Sequence, residues 1–109
     1  MDFLTMLFLL VASHALCDYP LQGPFLSEAK NPNTALGKVF WPHALFAHSM
    51  IHGGAVLLLT GSVALALIEV VIHGATDLAK CNGRISLNTD QAIHILCKII
   101  WAAVATLSF

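Results

Sequence analysis

Four pairs of histidine or carboxylate residues stand four apart in this chain: His14 with Asp18, His48 with His52, His73 with Asp77, and Asp90 with His94. Positions i and i+4 share one face of a helix, so each pair can aim two ligand-type groups at a common point. The segments that carry them are otherwise strongly apolar, where an ionisable group is costly unless it is paired or bound to an ion. Imidazole and carboxylate together suit zinc, and also iron, manganese or nickel, while no pair of thiolates is spaced for a structural cysteine site. All eight residues are therefore candidate ligands of a divalent metal, with zinc the first choice. Helices that face one another can build a one-metal or two-metal centre from such pairs. Asp77 and Asp90 are also candidate catalytic carboxylates. Glu69 joins them, because it lies one turn before His73 on the same stripe and could act as general base or as a partner to a ligand.

The elements that position these pairs must be helices in an apolar setting. Of 109 residues, 58% are hydrophobic and only 10% charged, and the mean hydropathy is +0.81. That composition predicts a single all-α transmembrane domain over residues 1–109, an integral membrane four-helix bundle. A net charge of −1 with no basic run excludes nucleic acid as an expected partner. The apolar run Phe3 to Leu16 lacks a basic start, and His14 and Leu16 stand where a signal peptidase needs small residues, so it reads as a retained helix. Cys17, Cys81 and Cys97 are odd in number and without C-x-x-C spacing, so they form no disulfide framework, and the two inside expected helices, Cys17 and Cys97, read as small buried hydrophobes.

Helices are expected at about 3–19, 42–59, 63–79 and 89–108. Pro20 ends the first, and residues 20–41 form the long loop. Thr60-Gly61-Ser62 supplies the turn of a tight hairpin, and Asn88 and Thr89 are candidate N-caps of the last helix. The loops at 20–41 and 80–88 then share one side and hold Lys30, Lys38, Lys80 and Arg84. The positive-inside rule makes that side cytoplasmic and puts both termini outside, in a multi-pass protein of the bacterial inner membrane. At about 1.5 Å of rise per residue, all four pairs fall in the cytoplasmic half of the bundle. The order His14-x3-Asp18, His48-x3-His52 is echoed by His73-x3-Asp77, Asp90-x3-His94, which suggests two pseudo-repeated helical hairpins with a site on their axis.

One polar pair in a membrane helix reads most simply as interhelical glue, whereas four at one depth favour a metal or proton-handling site. His43 reads as an interfacial histidine, Gln91 as a helix-start residue, and Lys30 and Lys80 as markers of the inside face. Gln22, Lys30 and Lys80 could also hold an anionic group at the cytoplasmic mouth. Gly53, Gly54, Gly61 and Gly74 read as sites of close packing or turning.

The assembled pattern is His14-Ala15-Leu16-Cys17-Asp18-Tyr19-Pro20-Leu21-Gln22, Lys30, His48-x3-His52-Gly53, His73-x3-Asp77-x2-Lys80 and Asp90-Gln91-x2-His94. It resembles a small bacterial and phage integral-membrane family catalogued as domain of unknown function 3307. The resemblance covers nearly the whole chain and implies a membrane protein, often phage-encoded, without an activity. In residue type and helix placement the chain is also loosely similar to membrane-bound metal-dependent hydrolases. The expectation is a metal-dependent hydrolase in the lipid bilayer, acting on a small-molecule or lipid substrate and with surface enough for a homo-oligomer. Two alternatives stand beside it: an ion- or proton-translocating protein, and a phage or host membrane-interaction protein whose polar pairs only fix helix packing.

Overall fold

Three of the four long helices begin where a short polar side chain satisfies a backbone N–H group left free by the first turn. Asp2 accepts from the Thr5 N–H at 2.7 Å and opens α1, Phe3–Asp18. Hydrogen bonds from the Thr5 backbone and side chain hold the Asp2 carboxyl below the usual carboxylate range. Ser62 accepts from Leu65 N–H at 3.1 Å and opens α4, Val63–Cys81. Ser86 accepts from Thr89 N–H, also at 3.1 Å, and opens α5, Leu87–Thr106. The expected caps Asn88 and Thr89 therefore lie inside the first turn of that helix. This computed structural model describes residues 1–107, so residue 108, the expected end of the last helix, lies outside the described residues.

The segment 20–41 is not one loop. It contains α2, Gly23–Ala29, with Pro24 in its first turn, and the opening turns of α3, Gly37–Thr60. Pro42 sits inside α3 rather than at its start. Proline removes one helical hydrogen bond, and tertiary packing can outweigh that local cost. Here α2 lies against α3, with the Phe25 and Phe40 rings 5.8 Å apart. Gly37 is needed where the chain turns into α3, because a Cβ there would come within 1.6 Å of the Asn31 carbonyl oxygen. At the far end Gly61 closes α3 in the left-handed conformation, at φ 71°.

The described residues are all-α, with five helices and no strand. Four of the helices close a ring in which α1 packs on α3, α3 on α4, α4 on α5 and α5 back on α1. The α3–α4 contact is the closest. A Cβ on Gly53 would meet Val70 Cγ2 at 2.4 Å, and one on Gly74 would meet Ser49 Oγ at 3.2 Å.

Along its 47 Å axis the bundle has two layers. One is apolar and is built from Met6 and Leu10 of α1, Val56 of α3, Leu65 of α4, and Trp101 and Ala102 of α5. The other buries His14, His48, His52, His73, Asp77, Asp90 and His94. Meanwhile the outer surface is strongly apolar, with Leu58 87%, Leu4 75%, Phe8 73% and Val71 69% exposed. By length and hydropathy, α3 is the one described helix suited to cross a membrane; α1 and α2 qualify only as a joined pair bent by 82°. Four clear spans are therefore more than hydropathy supports. The physical reason lies in the polar layer: Glu69, Asp77 and Lys80 interrupt α4, Asp90 and Lys98 interrupt α5, and α1 has only 16 residues.

Candidate metal centre

Asp18 stands at the last position of α1, its side chain 13% exposed, and imidazoles from two helices converge on it. His52 Nε2 on α3 lies 2.8 Å from Asp18 Oδ1 and donates a hydrogen bond to it. One turn earlier on α3, His48 Nε2 lies 3.2 Å from the same oxygen. On α1 itself, His14 Nε2 is 3.2 Å from Asp18 Oδ2. His73 enters from α4, its ring stacked on that of His52 at 3.7 Å. Asp18, His48, His52 and His73 thus each present one ligand atom, and all four atoms lie within 4.8 Å of one another. Zinc held at roughly 2.0–2.2 Å by tetrahedral N and O ligands keeps them about 3.4 Å apart. A modest contraction would close the set around an ion.

His48 and His73 are 0% and 1% exposed, yet neither nitrogen of either ring has a hydrogen-bond partner in the protein. Buried polar atoms left without hydrogen-bond partners carry a desolvation cost, so these two imidazoles, grouped with the Asp18 carboxylate, point to a ligand. The donor set of nitrogen and carboxylate oxygen fits zinc or another borderline divalent ion.

Over residues 5–109 the chain matches the family described as "Protein of unknown function (DUF3307)". The chain belongs to that family. No curated protein and no solved structure matches it.

In this DUF3307 chain the other candidate residues surround the four without joining them. His14 donates through Nε2 to Gln91 Oε1 at 3.1 Å, leaving Nδ1 as a buried atom without a partner. His94 lies 3.2 Å from Asp90 Oδ1, and its ring stacks on His73 at 4.3 Å. Asp77 is held by two cations, with Lys30 Nζ at 2.7 Å and Lys80 Nζ at 3.1 Å, and stands 4.0 Å from His73 Nε2. Glu69 pairs with the buried Lys98 ammonium and accepts from Trp101 Nε1 at 2.9 Å, while His73 Nδ1 is 3.9 Å away. A carboxylate tied to an ammonium and an indole is poorly placed to take up a proton. Glu69 instead lies behind His73, where it can orient that ring. His43 is exposed and apart from the cluster.

Gln91 does far more than start a helix. Its amide nitrogen donates to Asp18 Oδ2 at 3.2 Å and to Asp90 Oδ2 at 3.0 Å, which fixes its oxygen toward His14. It ties α1 to α5 across the site. Its position beside Asp90 was the only sequence signal, and nothing in the sequence marked Lys98 and Trp101 as partners of Glu69.

Among the described residues, two cavities bear on the site's surroundings. The larger, about 540 Å³, is an apolar cleft between α1 and α3 lined by residues such as Leu9, Leu16, Ile51 and Leu58, and it contains none of the candidate ligands. The smaller, about 270 Å³, is polar and is bordered by Asp18, Gln22, Lys30, Lys80 and Gln91. It gives the cluster its opening to the outside. The three cysteines are free and take no part in the cluster.

Proposed function

We propose that the protein is a membrane-embedded, divalent-metal-dependent hydrolase, with zinc held by Asp18, His48, His52 and His73. One observation carries this reading: three buried imidazoles and a carboxylate converge within 4.8 Å while His48 and His73 have no hydrogen-bond partners of their own. The four buried or half-buried carboxylates Asp18, Glu69, Asp77 and Asp90 outnumber the three ammonium groups of Lys30, Lys80 and Lys98 around the cluster. A bound cation would offset that excess.

The inverted surface supports a bilayer location. Polar groups that face inward and large apolar side chains that face outward suit hydrocarbon rather than water. The mouth at Lys30 and Lys80 carries basic residues, and by the positive-inside rule that supports an orientation toward the cytoplasmic face of a bacterial inner membrane.

When bound, the metal supplies Lewis acidity that lowers the pKa of water and polarises a phosphoryl or acyl oxygen. The chain's own groups do the rest. Asp90 is the one of the three expected catalytic carboxylates with no lysine within ion-pair distance, its nearest partners being Gln91 at 3.0 Å and His94 at 3.2 Å, so the Asp90–His94 pair is the proposed acceptor of the proton that attacking water gives up. His94 would return it to the departing oxygen. Asp77, clamped by Lys30 and Lys80, holds the mouth in shape.

Para-nitrophenyl phosphate and para-nitrophenyl butyrate, offered to detergent-solubilised protein, test the activity. Hydrolysis of one of them should require zinc, stop with chelator, return with added zinc, and fall at least about a hundredfold in Asp90→Asn. Hydrolysis indifferent to chelator, or none of either ester by zinc-loaded protein, would overturn the hydrolase reading.

Proton translocation is the second reading, and the chain from Asp77 through His73 to Glu69 and Lys98 favours it. The path ends there. Beyond Lys98 lies the apolar layer of Met6, Leu10, Val56, Leu65 and Trp101, which offers a proton no further carrier.

A further inference from the structure

The polar mouth has features that the metal cluster does not require. Lys30 is almost wholly buried, with 5% of its side chain exposed, and Lys80 is 27% exposed, yet both border the same cavity of about 270 Å³. Both ammonium groups lean on one carboxylate, Asp77, at 2.7 and 3.1 Å. The other carboxylate on the cavity, Asp18, has its oxygens turned to His52 and Gln91, so the two ammonium groups are the charged donors that the cavity presents. An ammonium has three donors, and neither lysine hydrogen-bonds any other side chain among the described residues. Each therefore keeps donors for a further acceptor.

Gln22 stands on the same cavity. Its amide nitrogen donates to the Asp18 carbonyl oxygen at 2.9 Å, which fixes the amide and leaves Oε1 buried without a partner. The mouth thus offers cationic donors and an unpartnered neutral acceptor, with Tyr19 and Ser27 also on its border. A group with several anionic oxygens and one hydroxyl matches that array, and a monoprotonated phosphate is such a group. Carboxylates lack the hydroxyl when ionised, and sulfates lack it at neutral pH.

We infer that the cavity bounded by Gln22, Lys30 and Lys80 is a binding site for the phosphate group of the substrate, so that the esters the protein acts on are phosphate esters rather than acyl esters. The assignment as substrate rests on the metal reading; the phosphate site itself can be measured without it. Ligand pockets run from roughly 300 to 1,000 Å³, so this cavity suits a phosphate head or a small phosphomonoester rather than a whole lipid. Asp18 lines both the cavity and the metal cluster, which would set the phosphorus beside the ion. Any chain attached to the phosphate would lie outside the mouth.

The test is calorimetric titration of zinc-loaded and metal-free protein with inorganic phosphate and with glycerol phosphate, together with native mass spectrometry of the protein in phosphatidylcholine nanodiscs doped with phosphatidic acid. Phosphate should bind, and Lys80→Gln should weaken it about tenfold, the loss of one charge-assisted hydrogen bond. Lys30→Met should weaken it further. Lys38→Gln, at an exposed lysine away from the mouth, should change nothing. Lys30→Met leaves Asp77 short of a buried partner and could misfold, so the partly exposed Lys80 carries the decision. Glycerol phosphate binding would assign a soluble ester and phosphatidic acid binding alone a lipid ester; either supports the site. No phosphate binding in any form, or an equal loss in Lys38→Gln, would overturn it. Zinc titration of the same samples separates the two readings: zinc bound without phosphate removes only the mouth, and phosphate bound without zinc removes only the metal.

Discussion

Asp18 is the residue on which the cluster turns, because His14, His48 and His52 approach its two oxygens at 3.2, 3.2 and 2.8 Å. A carboxylate ringed by imidazoles marks the place where a cation would be most stabilised. The pattern of i and i+4 pairs made Asp18 and the seven other paired residues visible in the sequence, since side-chain type and helical spacing alone put them on inward faces. Their roles were not visible. The echo between the two hairpins treats Asp18 and Asp77 as equivalents, yet Asp18 is held by histidines and Asp77 by two lysines. Spacing along one helix says nothing about which residue on another helix will come to meet it. Lys98 illustrates the same gap, because its ion pair with Glu69 joins residues 29 apart. Removing one member of a buried pair leaves the other charged and unpaired, at about 3–5 kcal/mol. Glu69→Gln should therefore destabilise the protein by that order, and adding Lys98→Met should recover most of it, as followed by denaturant unfolding in detergent. A stable, folded Glu69→Gln protein that simply loses hydrolysis would instead restore Glu69 as a general base.

Helices carry the cluster, and their ends were legible to the extent that local chemistry sets them. Pro20 and Gly61 mark the stops of α1 and α3, and Ser62 starts α4. The departures have tertiary causes. Pro42 looks like a start only while α2 is unknown, and α2 is a seven-residue helix that packing against α3 supports more than propensity does. Ser86 outcompetes Asn88 and Thr89 because a cap set two or three residues earlier adds most of a turn to α5. Among the small residues, Gly53 matters most for the site, since it lets α3 approach α4 and brings His52 onto His73. Gly53→Val would drive a branched side chain into Val70 and should lower stability by about 1–3 kcal/mol. The same substitution should weaken metal binding, because it parts the helices that hold three of the four ligands. Normal thermal stability and normal metal affinity in Gly53→Val would show that the close approach is unnecessary.

As a whole molecule the bundle is polar within one end, apolar within the other, and apolar over its outer surface. Composition made the apolar character plain. What it could not show was that the charges interrupting α4 and α5 turn inward, and those charges keep hydropathy from marking either helix as a span. If the mouth faces the cytoplasm, a cysteine placed at exposed Arg84, in a background without the three native cysteines, should be labelled by an impermeant maleimide only after cells are opened. Labelling in intact cells would reverse the orientation. The central claim is that Asp18, His48, His52 and His73 hold a metal ion, and zinc K-edge X-ray absorption on tag-free protein reconstituted with zinc tests it most directly. The account predicts a spectrum of nitrogen and oxygen ligands at about 2.0–2.1 Å with histidine scattering, absent from a folded His48→Ala, His73→Ala variant. A folded wild-type protein that retains no zinc, or that retains it equally well without those two histidines, would contradict it.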